Sequence, residues 1–154
     1  MANVKPIPEG YPVVSPSLAI DGCADAIEFY KNVFGATERM RMEGPPGKIA
    51  HAELQFGDSV IMVSDAAPDA GFGAPAMYGG SPVVISVYVE DVDATFAKAI
   101  GAGAKEERAV ETQFYGDRSG GFVDPWGHRW YVASHVEDVS EEEMTRRMQQ
   151  MMGG

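Results

Sequence analysis

The chain has 154 residues, 45% of them apolar and 23% charged, which suits one globular domain with a real core and argues against wholesale disorder. Its 23 acidic against 12 basic residues give a net charge of -11, which repels phosphate backbones and speaks against nucleic-acid binding. No apolar run nears the roughly 18 residues a membrane span needs, and the single Cys23 allows no internal disulfide. With no basic start followed by an apolar core, a cytoplasmic protein without membrane or nucleic-acid partners is expected.

Residues 1–12 hold Pro6, Pro8, Gly10 and Pro12 and read as an extended arm. The alternation over 13–20 predicts a first strand, with Val14, Leu18 and Ile20 on an apolar face, Ser15 and Ser17 opposite, and Pro16 favouring an edge or bulge. Ala26, Ile27, Tyr30 and Phe34 recur at helical spacing and Gly35 stops the run, so a helix is expected over 24–34. Cys23 reads as a small buried side chain at its start. Strands follow over 37–42, 49–56 and 59–65, the middle one setting His51, Glu53 and Gln55 against Ala50, Ala52, Leu54 and Phe56.

Glycines and prolines crowd residues 66–82, which read as a linker. Beyond it the plan repeats: a strand over 83–89, a helix over 92–100 ended by Gly101, and strands over 104–110, 120–124 and 128–134. A strand, helix, strand, strand, strand order occurring twice lets two half-covered sheets pair around a cavity. Ser140 with Glu143 makes a capping-box pattern ahead of a helix over 140–152, whose Met144, Met148 and Met151 form a packing or dimer stripe. The expectation is thus one α+β domain: module one at 12–65, linker, module two at 83–135, and a C-terminal helix.

Four phrases, AIEFYKNVFGA, HAELQFGDSVIMVSD, YVEDVDATFAKAIGAGA and QFYGDRSGGFVDPWGHRW, joined to this duplication, resemble the vicinal oxygen chelate superfamily of glyoxalases, extradiol dioxygenases and bleomycin-resistance proteins. The likeness runs over about residues 12–135 and is greatest to its PhnB-like and glyoxalase/bleomycin-resistance-like group. It implies paired βαβββ modules with a cavity in the concave face of the sheet. It also implies, in members with metal chemistry, a divalent ion held by His, Gln or Glu from the first and fourth strands of each module. Here those positions fall on Ser15 and Met62 (or Ile61) in module one and on Val84 and Tyr131 in module two. A hydroxyl, a thioether and an alkyl chain do not replace imidazole and carboxylate, so no metal and no other cofactor is expected.

The strand alternation places Ser15, Ser17, His51, Glu53, Ser86, Tyr88, Arg129 and Tyr131 on the face away from the helices, a composition suited to an amphipathic small molecule. Val84 and Met62 join that face as occupants of the family positions. Arg118 between glycines could clamp an anion through its planar fork, or could pair with Asp117 or Asp124 to fix a loop. Two readings stay open. In one the protein binds a small molecule, cationic or planar and aromatic, without a metal, as a homodimer resembling drug-sequestering resistance proteins. In the other it is a lyase, isomerase or dioxygenase using His51 and Glu53 as working groups, with a divalent metal as the alternative cofactor. The absence of serine-hydrolase, nucleotide-loop and thiol motifs removes those mechanisms.

Overall fold

The structure, a computed structural model, describes residues 3–153. The chain divides into two compact units, residues 1–79 and 80–154, and each is a βαβββ module. The first contains β1 (Ser17–Ile20), α1 (Cys23–Phe34), β2 (Thr37–Glu43), β3 (Ile49–Phe56) and β4 (Ser59–Asp65), in sheet order β1-β4-β3-β2. The second contains β5 (Val84–Tyr88), α2 (Val92–Gly101), β6 (Lys105–Thr112), β7 (Asp117–Val123) and β8 (Arg129–His135), in the matching order β5-β8-β7-β6. In each, the first strand runs parallel to the fourth and the remaining pairs are antiparallel. A C-terminal helix, α3 (Glu141–Gly153), follows, so the α+β class and the duplicated plan are as expected. No helix among the described residues is long and apolar enough to cross a membrane.

In the first module Cys23, Ala26, Ile27 and Tyr30 of α1 are fully buried, together with Ile20 of β1 and Leu54 of β3. Each large side chain so buried contributes about 1.5–3 kcal/mol. Gly35 closes the helix in the left-handed conformation, its N–H donating to the Lys31 carbonyl. In the second module Trp130, Phe122 and Val132 form the corresponding core beneath α2. Gly120 is required there, because a Cβ would press on Val110 and the Phe96 ring.

Several boundaries differ from the sequence reading, each for a local reason. β1 begins at Ser17, because Pro16 has no N–H and only its carbonyl joins the ladder, accepting from Met62. Ser15 therefore precedes the strand, and Val14 is 81% exposed instead of facing α1. β7 starts at Asp117, three residues before the glycine pair from which it was expected. Two single 3₁₀ turns, Pro68–Ala70 and Pro75–Tyr78, occupy part of the expected linker. Met148 and Met151 of α3 are 45% and 69% exposed.

Candidate ligand-binding site

Strand pairing fixes which residues stand side by side on the face away from the helices. In module one Ser17 of β1 lies beside Met62 of β4, which lies beside Glu53 of β3. In module two the row is Ser86, Tyr131 and Gly121. The neighbours of the two fourth-strand positions are therefore Ser17 and Ser86, two residues beyond the expected Ser15 and Val84. Neither Ser15 and Val84 nor these neighbours bring an imidazole or a carboxylate to the first-strand positions: each half offers a serine hydroxyl or an alkyl chain beside a thioether or a phenol. No cluster of three or more His, Cys, Asp or Glu that could hold a metal occurs among the described residues. These donors do not fit a divalent ion.

Module two instead forms a cavity of about 210 Å³ lined by Ser86, Tyr88, Tyr115, Asp117, Tyr131 and Ala133. The Tyr131 hydroxyl lies 2.5 Å from Ser119 Oγ and 2.8 Å from the Tyr115 hydroxyl. Asp117, only 7% exposed, accepts from the Tyr88 hydroxyl at 2.7 Å through one oxygen and meets His135 Nδ1 at 2.8 Å through the other. His135 Nε2 in turn lies 2.7 Å from Asp138 Oδ1. Burial pushes the Asp117 carboxyl upward, but hydrogen bonds from His135 and Tyr88 outweigh it and leave the group below the usual carboxylate range. The hydrogen bond to Asp117, followed by that to Asp138, raises His135. The carboxylate likewise holds the Tyr88 phenol up, first through their hydrogen bond.

Of the residues expected at the site, Ser86, Tyr88 and Tyr131 line this cavity. Val84 and Arg129 line a neighbouring hollow of about 290 Å³ that shares Tyr131, where Arg129 pairs with Glu107 at 2.9 Å. Arg118 is elsewhere. It points to the helix side of β7 and forks onto Asp93 of α2 with two 2.8 Å bonds, not onto Asp117 or Asp124. Tyr115, Asp117 and Ser119 were not assigned to the site from sequence because β7 was expected to start at Gly120. Once the strand begins at Asp117, period-two alternation puts 117, 119 and 121 on the cavity side.

In module one His51 and Glu53 do come together: His51 Nε2 is 3.1 Å from Glu53 Oε2. The arm completes the group, with the Tyr11 hydroxyl donating to Glu53 Oε1 at 2.7 Å and the Arg39 guanidinium 4.5 Å over the Tyr11 ring. Arg39 is aimed there by a β-bulge, since Glu38 and Met40 oppose successive residues of β3 and leave Arg39 unpaired between them. Burial raises the Glu53 carboxyl, but its bonds to Tyr11 and His51 prevail and hold it below the usual range. Ser17 and Met62 stand in the adjoining part of this face.

The duplicated sheet, its register and the family's strand positions define the class. The chain belongs to the Glyoxalase/Bleomycin resistance protein/Dioxygenase superfamily, whose family model matches residues 13–132. The Mycobacterium bovis protein Mb0911c is 41% identical over 140 residues, 89% of this chain and 92% of that protein. The X-ray structure of the Arabidopsis thaliana gene product At5g48480 is 29% identical with a TM-score of 0.64, covering 80% of this chain and 98% of that one. FosX, a fosfomycin resistance protein of Listeria monocytogenes crystallised with Mn(II) and sulfate, is 16% identical with a TM-score of 0.62, covering 89% and 97%. That last likeness is one of fold alone.

Proposed function

We propose that this chain binds a small organic molecule without a divalent ion, as a receptor resembling the drug-sequestering members of its superfamily. The observation that carries this reading is the module-two cavity, where three tyrosines and one buried carboxylate surround a space of about 210 Å³. Tyrosine faces attract planar rings and organic cations, and Asp117 supplies a negative charge at the wall. The preferred ligand is therefore a planar aromatic carrying an amine. We also propose that the protein acts as a homodimer, a reading supported by the exposed methionines of α3.

Catalysis by His51 and Glu53 is the weaker reading. A carboxylate held below the usual range is a poor base near neutral pH, and both Glu53 oxygens are already engaged. The test is a thermal-shift screen of cationic aromatics followed by calorimetry on hits. A ligand at 100 times its Kd stabilises the native state by about 2.7 kcal/mol. Asp117→Asn is expected to weaken a cationic hit at least tenfold. Metal analysis after equilibration with Zn²⁺, Ni²⁺ or Fe²⁺ is the counter-test: a stoichiometric ion lost in His51→Ala and Glu53→Ala would overturn the metal-free reading.

A further inference from the structure

Tyr11 is held by module one as a small ligand would be held. Its hydroxyl donates to a carboxylate that is 4% exposed, its ring lies under a guanidinium, and His51 steadies the other oxygen of that carboxylate. The rest of the arm contributes little to this anchorage: residues 3–10 are all exposed, and the Lys5–Glu9 ion pair lies within the arm itself. Module two repeats the phenol, carboxylate and imidazole of this arrangement in Tyr88, Asp117 and His135, but with a residue of its own strand β5 as the phenol and without the guanidinium. Its equivalent bulge residue is Glu107, engaged by Arg129, and the position matching Glu53 is Gly121. Among the described residues a carboxylate acceptor and a ring-covering cation are thus brought together in module one, and an aromatic alcohol from the arm fills the place.

We propose that the Glu53, His51 and Arg39 face of module one is a binding site for free phenols, and that the N-terminal arm plugs it with Tyr11. The site is built from module-one residues alone and does not depend on the function proposed for the module-two cavity. Arg39 offers a further recognition element. Its Nη1 is buried with no hydrogen-bond acceptor among the described residues, so a phenol bearing a second oxygen has a donor to meet. A tethered plug acts at an effective concentration of roughly millimolar, so a free phenol competes only when it is abundant or when the arm is drawn away.

The probe is 4-methylphenol, the tyrosine side chain cut at its Cβ, titrated while following the backbone amide signals of residues 51–53 and 62. Tyr11→Ala is expected to bind it at least tenfold more tightly than the unaltered protein. Adding Glu53→Gln to that variant should weaken binding at least fivefold, and toluene, which lacks the hydroxyl, should bind less well by a similar factor. Tyr11→Phe keeps the ring under Arg39 and frees only the Glu53 oxygen, so intermediate affinity is expected, and this variant carries the test if Tyr11→Ala does not fold. Equal affinity of the folded variants and the unaltered protein for 4-methylphenol, or no binding by any of them, would overturn the proposal.

Discussion

The indole N–H of Trp130 donates to Asp124 Oδ2 at 2.9 Å, while Asp124 Oδ1 accepts the amides of Trp126 and His128 at 3.0 and 2.9 Å. Asp124 is 3% exposed and Trp130 is 1% exposed, so one carboxylate satisfies three donors where water has little access. The string DPWGHRW is therefore a clamp that sets the start of β8 and, through it, the position of Tyr131 at the cavity. Asp124→Ala removes this acceptor from all three donors and is expected to cost about 3–5 kcal/mol, whereas Asp124→Asn keeps an acceptor and should cost about half as much. Urea unfolding midpoints at constant slope measure both.

Asp65 and Ser134 hold equivalent stations at the ends of β4 and β8. Asp65 accepts the Gly22 and Cys23 amides at the start of α1 and, at 2.7 Å, the amide of Ile49. Ser134 accepts the Val92 amide at the start of α2 and donates to the Val89 carbonyl. Helix starts leave amides without intrahelical partners, and α1 has Gly22 where a capping side chain would otherwise serve. Asp65→Ala should thus cost about 2–4 kcal/mol and Ser134→Ala about 1–2, because Asp91 still caps α2 through the Ala94 amide. Equal losses in chemical denaturation would contradict this division of labour.

Strong periodicity made the scaffold legible: β3 and β4 fall where alternation over 49–56 and 59–65 put them. The site was harder to read because it depends on register and on irregularity. The residues paired beside Met62 and Tyr131 are Ser17 and Ser86, a register that alternation within one strand does not disclose. Three extra residues at the start of β7 brought in Asp117 and Ser119. Bulges at Arg39 and Glu107 leave no mark on an alternation pattern, yet they decide what those charges meet. The pairing of Tyr11 with Glu53, 42 residues apart, had no local signal.

Stability should fall on both sides of a window set by His135, Asp117 and Glu53. His135 is raised above its ordinary 6.5, so its contribution is complete below that value and is lost as pH climbs through the higher folded value. Asp117 and Glu53 are lowered, so theirs is complete above the ordinary carboxylate range near about 4 and is lost as pH falls through the folded values. Maximum stability is therefore expected between about pH 5 and 6.5 as far as these groups decide it. His135→Asn should flatten the decline above pH 6.5 while leaving a Glu53-dependent decline in acid. Unfolding curves across that range that superimpose for the two proteins would assign the alkaline limb to other groups.

α3 is attached by charge more than by burial, since none of its residues is buried. Arg147 makes the attachment: its guanidinium grips both oxygens of Glu137 at 2.7 and 3.0 Å, donates to the Phe114 carbonyl at 2.9 Å and reaches Glu143 at 2.9 Å. Ser140 caps the helix through the Glu143 amide, but the Glu143 side chain does not complete a capping box; bonds from Arg146 and then Arg147 hold its carboxyl down at about 2. A 13-residue helix is marginal by itself in water, so releasing the anchor should also unwind it. Arg147→Ala is expected to speed amide hydrogen exchange across 141–153 at least tenfold while leaving the exchange of β3 and β8 unchanged. Arg147→Lys supplies the charge without the planar fork and should fall between the two. Full protection of α3 in Arg147→Ala would mean that contacts other than this arginine hold the helix.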